Sequence, residues 1–264
     1  MEFKGRVCVI TGGSGGIGRA MARAFLAEGA KAVVLADLSA DAVQSAAREI
    51  GCEGVACDVT READIQRLVG DTLARHGRID LFCSNAGAGG KGVLTDASNT
   101  VWQAQWELHV MAHLYAARAV LPSMLARKEG YLLNTASAAG LLAALGSGPY
   151  TVSKAAAVKF AEFLSITHGD DGIRVSVLCP QGVNTAMAPR SLGDGQTDGI
   201  IEADALARVV VEAIRAERFY VLPHPEVEEY VRRKGDNIER WLRGMRRLRQ
   251  KTVALVAAAT GSKS

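Results

Sequence analysis

The sequence has no apolar run long enough to cross a membrane. Its longest uninterrupted stretches, such as Ala32 to Ala36 and Val253 to Ala259, fall far short of the ~20 residues a spanning helix needs. It also has no C-x-x-C pair. The five Cys, at positions 8, 52, 57, 83 and 179, sit mostly within or beside apolar runs, which predicts reduced, strand-buried thiols and no metal or disulfide site. The segment Met1-Glu2-Phe3-Lys4-Gly5-Arg6 leads into only four apolar residues before Gly-rich sequence. That is too short for a signal-peptide core, so a cytoplasmic chain is expected. Aromatic residues make up only 5%, which excludes little. Internal repeats and low-complexity linkers are absent.

The 264 residues are 48% apolar and include 28 Gly without a period, which excludes disorder and collagen. A chain of this length removes roughly 70–75% of its unfolded surface from water and folds without staples. Short runs rich in Val, Ile and Leu recur at Val7 to Ile10, Ala32 to Ala36, Val55 to Cys57, Ile79 to Cys83, Tyr131 to Asn134, Val175 to Cys179 and Phe219 to Leu222. A longer stretch with helical spacing follows each. Strand then helix, repeated, predicts an α/β fold: a parallel sheet in three layers, doubly wound, with right-handed crossovers. The runs do not alternate with polar residues because parallel strands are covered on both faces. This predicts one domain over residues 1–223 and a C-terminal extension over 224–264.

The first strand is followed by Thr11-Gly12-Gly13-Ser14-Gly15-Gly16-Ile17-Gly18 and then a helical pattern. A Gly-rich turn there lets backbone approach a pyrophosphate, whose charge sits at the helix N-terminus. Asp37 closes the second strand, 19 residues after Gly18, where a carboxylate accepts hydrogen bonds from both adenosine ribose hydroxyls and repels a 2′-phosphate. Gly15 in the loop, and Leu38 and Ser39 after the Asp, provide no Lys or Arg to balance an extra phosphate. NAD is therefore expected over NADP. A turn residue or helix cap is the plainer alternative for Asp37. Asp58, in Cys57-Asp58-Val59, is placed to meet the adenine edge, and Asn85-Ala86-Gly87 leaves room for the cofactor's ribose.

Tyr150 and Lys154 lie four apart in a helical run that begins near Pro149, so both point from one face. An adjacent ammonium and a helix N-terminus both favour phenolate, which suits the pair to moving a proton to or from a substrate oxygen. Ser137, at the end of the fifth strand, can hold that oxygen.

With these motifs the chain resembles the short-chain dehydrogenase/reductase family from residue 4 to about 222. The matching elements are Thr11 to Gly18, Asp58, Asn85-Ala86-Gly87, Ser137, Tyr150 with Lys154, and Pro180 to Thr185. The resemblance implies a Rossmann sheet of seven strands in the order 3-2-1-4-5-6-7. It implies Tyr150 as general acid/base, Lys154 on the nicotinamide ribose, Ser137 orienting the substrate, and Val183 and Thr185 holding the nicotinamide amide. It also implies hydride transfer with an alcohol or ketone and a homodimer or homotetramer; no metal is expected.

Three departures stand out. The family usually has Asn twelve residues before the Leu of Leu121-Pro122, where this sequence has His109. An imidazole with pKa near 6.5 suits a proton relay; a space-filling ring is the alternative. Pro-Gly after the sixth strand reads Pro180-Gln181 here, and the family's Gly-rich C-terminal ending is missing. The latter makes a dimer through the long helices near Trp102 and Tyr150 more secure than a tetramer.

Leu141, Leu142, Leu145 and Met187 are expected to make the wall of the substrate space apolar, with Gln181 also bounding it; Arg190 is a candidate for selecting a carboxylate, a solvated loop Arg being the plainer alternative. From Glu226 to Lys251 nine basic residues face five acids. The apolar positions Val227, Tyr230, Val231, Ile238, Trp241, Leu242, Met245 and Leu248 predict an amphipathic helix interrupted at Gly235, packed on the body or a partner subunit. Interleaved acids argue against a membrane surface or nucleic acid. An NAD sensor without turnover, an NADP-dependent carbonyl reductase and a longer-branch epimerase are the rival readings. The last usually needs ~100 further residues for a substrate domain, and only about 40 remain.

Overall fold

The seven short apolar runs become one parallel sheet. A computed structural model describes residues 1–90, 92–185 and 198–260, with side-chain burial described up to Leu255. The elements in chain order are β1 (Val7–Thr11), α1 (Gly16–Ala27), β2 (Ala32–Asp37), α2 (Ala40–Ile50), β3 (Glu53–Ala56), α3 (Glu62–His76), β4 (Leu81–Ser84) and α4 (Asn99–Trp106). A π-helical turn (Glu107–Met111) leads into α5 (Ala112–Arg127), β5 (Gly130–Thr135), α6 (Ala138–Leu141), α7 (Gly148–His168) and β6 (Ile173–Leu178). The chain ends with β7 (Gly182–Asn184), β8 (Ile200–Glu202), α8 (Ala203–Arg215), β9 (Tyr220–Val221), α9 (Glu226–Asp236) and α10 (Ile238–Thr260).

The sheet order is β3-β2-β1-β4-β5-β6-β9, and every neighbouring pair is parallel. This is the expected seven-stranded Rossmann arrangement. β7 and β8 form a separate parallel pair that three-residue strands do not announce in sequence. Every residue of β1, β4 and β5 is buried, which accounts for their lack of polar alternation.

Two apolar clusters cover the two faces. On one face, Ile65, Leu68, Val120, Met124, Ala157 and Leu164 from α3, α5 and α7 pack on the sheet. On the other, Met21, Phe25, Val43, Leu206, Val210 and Ile214 come from α1, α2 and α8. The cysteines are all free, four of them buried. Beneath the sheet, buried Asp80 accepts the Val7 backbone N–H at 2.9 Å and pairs with Arg6 and Arg78. The carboxylate thus ties the start of β1 to the start of β4.

Gly235 does not interrupt the C-terminal helix; it lies inside α9, and the break falls at Asn237. That residue adopts extended backbone (φ −157°, ψ 98°), and its side chain accepts the Arg240 N–H at 2.8 Å. Asn caps a new helix better than it continues an old one, whereas a helix tolerates one Gly at a cost of about 1 kcal/mol. α9 packs on the body of its own chain: Val227 is fully buried, the Tyr230 hydroxyl donates to Asp198 at 2.9 Å, and Lys234 Nζ donates to the Leu141 carbonyl at 2.5 Å. Ile238 and Leu242 on α10 are exposed.

Candidate active site

β1 sits between β2 and β4, where the strand order reverses, and the crevice at the carboxyl ends of these strands is where a doubly wound sheet binds its ligand. The Gly loop lines it. Gly12 has φ +65°, and a Cβ on Gly18 would stand 2.4 Å from the Gly12 carbonyl oxygen. The turn can therefore close only around glycine at these positions. No side chain caps α1, and its first turn carries no acidic residue. The helix thus presents N–H groups and a positive dipole end without a built-in anion, which suits a pyrophosphate. Ile17, half-buried, follows Gly16 in that first turn.

Asp37 Oδ2 accepts from Ser14 N at 2.9 Å and from Ser14 Oγ at 2.6 Å, while Oδ1 accepts from Leu38 N at 2.8 Å. It is not the cap of α2; Ser39 is, accepting the Ala42 N–H. The carboxylate is thus fixed beside the Gly loop, with both acceptor sites of Oδ2 taken by Ser14 and one lone pair remaining on Oδ1. Asp58 Oδ1 accepts from the Thr60 backbone and hydroxyl, which holds the Asp58-Val59 turn at the end of β3. Thr11 joins the next loop to the first: its hydroxyl accepts from the N–H groups of Asn85 and Ala86 at 2.9 and 3.1 Å. Asn85 Nδ2 returns a bond to the Thr11 carbonyl at 3.0 Å. A Cβ on Gly12 would meet Ala86 Cα at 2.8 Å, and one on Gly87 would reach both His109 and Lys154. Close backbone approach therefore explains Gly12, while a Cβ at Gly87 would face the His109 and Lys154 side chains at 3.4 and 3.5 Å.

The three expected catalytic residues come from two elements. Ser137 caps α6, accepting the Ala139 N–H, and its hydroxyl donates to the Pro180 carbonyl at 3.3 Å. Tyr150 lies in the first turn of α7, whose cap is Ser147. Lys154 follows one turn later, buried, with Nζ donating to the Thr135 carbonyl at 2.9 Å and standing 5.8 Å from the Tyr150 ring centre. Burial pushes the Tyr150 phenol up, and its hydrogen bond with Ser137 opposes this. Burial also lowers Lys154 to about 8. The loop around residues 88–94 reaches the same place through a bridge between Gly92 and Ser147.

His109 sits in the π-helical turn, fully buried. Such a turn inserts an extra residue and redirects a side chain. Here the ring stands edge-on to Tyr150 at 5.4 Å between centres. Its Nε2 accepts the Ala88 N–H at 3.3 Å, and Nδ1 lies 3.0 Å from Ser153 Oγ. An accepting Nε2 on a neutral ring puts the proton on Nδ1, which then donates to Ser153; the Ser153 hydroxyl donates to the Tyr150 carbonyl at 3.1 Å. The expected pKa near 6.5 does not hold. Burial first, then the charge of Lys154, lowers His109 to about 2, so the ring is neutral across the physiological range. His113, one turn further on, is buried, lowered to about 3 by burial, and without a hydrogen bond on either nitrogen among the described residues.

Beyond α6 a cavity of about 730 Å³ lies between the catalytic loops and the tail, lined among others by Leu142, Ala143, Gln181, Tyr230, Trp241 and Arg240. Leu142 and Gln181 line this space, whereas Leu141 and Leu145 do not. Leu141 contributes its carbonyl to Lys234, and half-buried Leu145 precedes α7. Met187 and Arg190 lie outside the described residues. Pro180 lies between β6 and β7, Val183 is buried in β7 and Thr185 follows it. A Cβ on Gly16 would meet the Thr185 methyl at 2.6 Å, which brings the segment after β6 against the Gly loop.

Several contributors escaped the sequence. Asp198 holds Gln181 Nε2 at 2.9 Å and the Tyr230 hydroxyl together, and buried His224 Nδ1 accepts the Gln181 N–H at 3.2 Å. Neither has a motif. Ser153 had a signal, since it sits between Tyr150 and Lys154, but its partner His109 lies 44 residues away.

The family described as short chain dehydrogenase matches residues 6–194. A 1-deoxy-11-beta-hydroxypentalenate dehydrogenase of Streptomyces exfoliatus is 33% identical over 258 residues, covering 91% of this chain and 90% of that enzyme. A meso-2,3-butanediol dehydrogenase of Serratia marcescens is 32% identical over 222 residues, covering 82% and 88%. Among solved structures, a short chain dehydrogenase/reductase from Burkholderia phymatum in complex with NAD superposes with a TM-score of 0.82 at 32% identity, over 90% of this chain and 96% of that one. Sheet order, Gly loop and sequence matches agree: the chain belongs to the short-chain dehydrogenase/reductase family of oxidoreductases.

Proposed function

We propose that this chain is an NAD-dependent dehydrogenase and ketone reductase acting on a secondary alcohol with an apolar body. The observation that carries the reading is that Tyr150, hydrogen-bonded to Ser137, stands near buried Lys154, and that Lys154 approaches Gly87 in the loop that Thr11 ties to the Gly-rich turn. Residues Gly12 to Gly18, Asp37, Asp58 and Asn85 to Gly87 would hold the dinucleotide, with Lys154, Val183 and Thr185 at its nicotinamide end. A cradle in which extra Cβ atoms clash at Gly12, Gly16 and Gly18 fits such a group. When bound, NAD supplies the hydride-accepting carbon.

The chain's own residues supply the rest. Ser137 donates to the substrate oxygen and orients it. Tyr150 takes the hydroxyl proton in oxidation and returns it in reduction. An Lys154 ammonium, held by the Thr135 carbonyl, favours the phenolate. His109 acts as a neutral ring that positions Ser153 and the first turn of α7. Asp37 favours NAD, because a 2′-phosphate beside its carboxylate would be repelled without a Lys or Arg next to it in sequence. The dehydrogenase names of the Streptomyces and Serratia relatives support alcohol chemistry. We assign residues 1–223 to the catalytic domain and 224–264 to an extension that completes its substrate mouth.

The test is a panel of secondary alcohols assayed by NADH absorbance, with NADP in parallel. Apolar alcohols should be oxidised with NAD and at least about tenfold more slowly with NADP, the size of one lost charge-assisted contact. Faster oxidation of polyols, or a preference for NADP, would overturn the respective assignment.

A further inference from the structure

We infer that the C-terminal helix supplies an anion-recognising wall to the substrate cavity, so that the alcohol carries a carboxylate at the end remote from its carbinol. This rests on the dehydrogenase reading for the position of the carbinol, but its physical basis is separate.

The cavity starts close to the proposed chemistry. Ser137 caps α6 and Leu142 ends it, so the first lining residue is about 7.5 Å along the helix axis from Ser137. Gln181 follows Pro180, whose carbonyl accepts the Ser137 hydroxyl. The opposite wall belongs to α9 and α10. Trp241, Met245 and Leu248 line the cavity at spacings of four and three, a single apolar stripe. One position behind it runs a second stripe, Arg240, Gly244 and Arg247, also lining the cavity. Gly244 adds no side chain, and a Cβ there would meet only Arg247 Nη2, at 3.9 Å. The Arg247 guanidinium thus lies over the gap at Gly244, and both arginines line the cavity beside an apolar surface.

Among the described residues their charge is not balanced from within. The neighbouring cations on α9 are paired: Arg232 with Glu229 and Asp236, and Arg233 with Glu229. Arg240 and Arg247 have no carboxylate partner among the described residues. Glu229 and Asp236, the acidic residues lining the cavity, are engaged by Arg232 and Arg233. A space of about 730 Å³ with an apolar stripe and two unpaired guanidinium groups matches an amphiphile: a hydrocarbon body on Leu142, Trp241, Met245 and Leu248, and a carboxylate on Arg240 and Arg247, which bind such groups in bidentate fashion. Tyr230 and Lys234, bonded to Asp198 and Leu141, anchor this wall to the body.

The probe is dodecanoate with its methyl ester, titrated into the full-length protein by calorimetry, so that binding is read without turnover. Dodecanoate should bind at least about tenfold more tightly than the ester. The double variant Arg240→Gln/Arg247→Gln should bring dodecanoate down to the ester's affinity and leave the ester within about twofold. Arg243→Gln/Arg246→Gln removes the same charge from positions of α10 that do not line the cavity, and should change neither ligand. Equal binding of acid and ester, or equal losses in the two double variants, would overturn the inference. If dodecanoate binds as described but no alcohol reduces NAD, the dehydrogenase reading fails and the anion site stands. If alcohols are oxidised while acid and ester bind alike, the reverse holds.

Discussion

Replacing Lys154 by Met should make the cofactor-free protein more stable and less active at once. Nζ is fully buried, and burial lowers its pKa from 10.5 to about 8. At about 1.36 kcal/mol per pKa step, keeping this amine charged in the fold near pH 7 costs on the order of 3 kcal/mol. Met has a similar length and no charge to bury, but it forfeits the charged hydrogen bond to the Thr135 carbonyl, worth about 1.5 kcal/mol. The net gain is about 1–2 kcal/mol, or roughly 2–4 °C in Tm for a chain of this size.

The pH dependence separates this from a generic packing gain. Because the folded pKa lies below the unfolded one, the cost is fully present below about pH 8 and disappears as pH rises to about 10.5. Wild type should therefore gain on the variant across that window, and the gap in Tm should close. Thermal melts followed by circular dichroism at a series of pH values measure it. A variant that melts lower than wild type near pH 7, or a gap that stays constant through the window, would refute the reasoning.

Three further perturbations follow from the same contacts. Asp80→Ala leaves the Val7 N–H without its acceptor while Arg6 and Arg78 keep Glu129, and should cost about 1–3 kcal/mol in urea unfolding. On α7, Val152, Phe163 and Ile166 are exposed, an apolar face suited to pairing with a second copy; Phe163→Asp/Ile166→Asp should convert a dimer to a monomer by light scattering. His109→Ala removes the contacts to Ala88 and Ser153. It should lower kcat by about tenfold or more without adding or removing an ionisation near pH 6.5, because His109 is already neutral there.

Most of the scaffold was legible because buried parallel strands need apolar residues at every position. Val7 to Ile10 and Tyr131 to Asn134 could hardly be read otherwise, and the strand order followed from the family resemblance. The Gly loop was legible for a steric reason, since Gly18 faces a carbonyl that no Cβ can approach. What failed to show depends on contacts between distant segments. The β7–β8 pair joins two three-residue strands, too short for a pattern. His109 was visible as a substitution, but its neutral state arises from burial and Lys154, which no local motif encodes. Gly235 was read as a helix breaker from propensity alone, while the extended backbone and capping side chain of Asn237 decided the break. The partners that hold Gln181, Asp198 and His224, lie 17 and 43 residues from it.

The central claim is that this crevice holds a nicotinamide dinucleotide and that Tyr150 carries the proton. Comparing wild type with Tyr150→Phe, at saturating NAD and with the best alcohol of the panel, tests it most directly when NADH binding is titrated alongside. The account predicts kcat lower by about 10²–10⁴-fold in the variant, with NADH affinity unchanged within about threefold. Wild-type turnover by Tyr150→Phe, or equal loss of NADH binding and turnover, would contradict it.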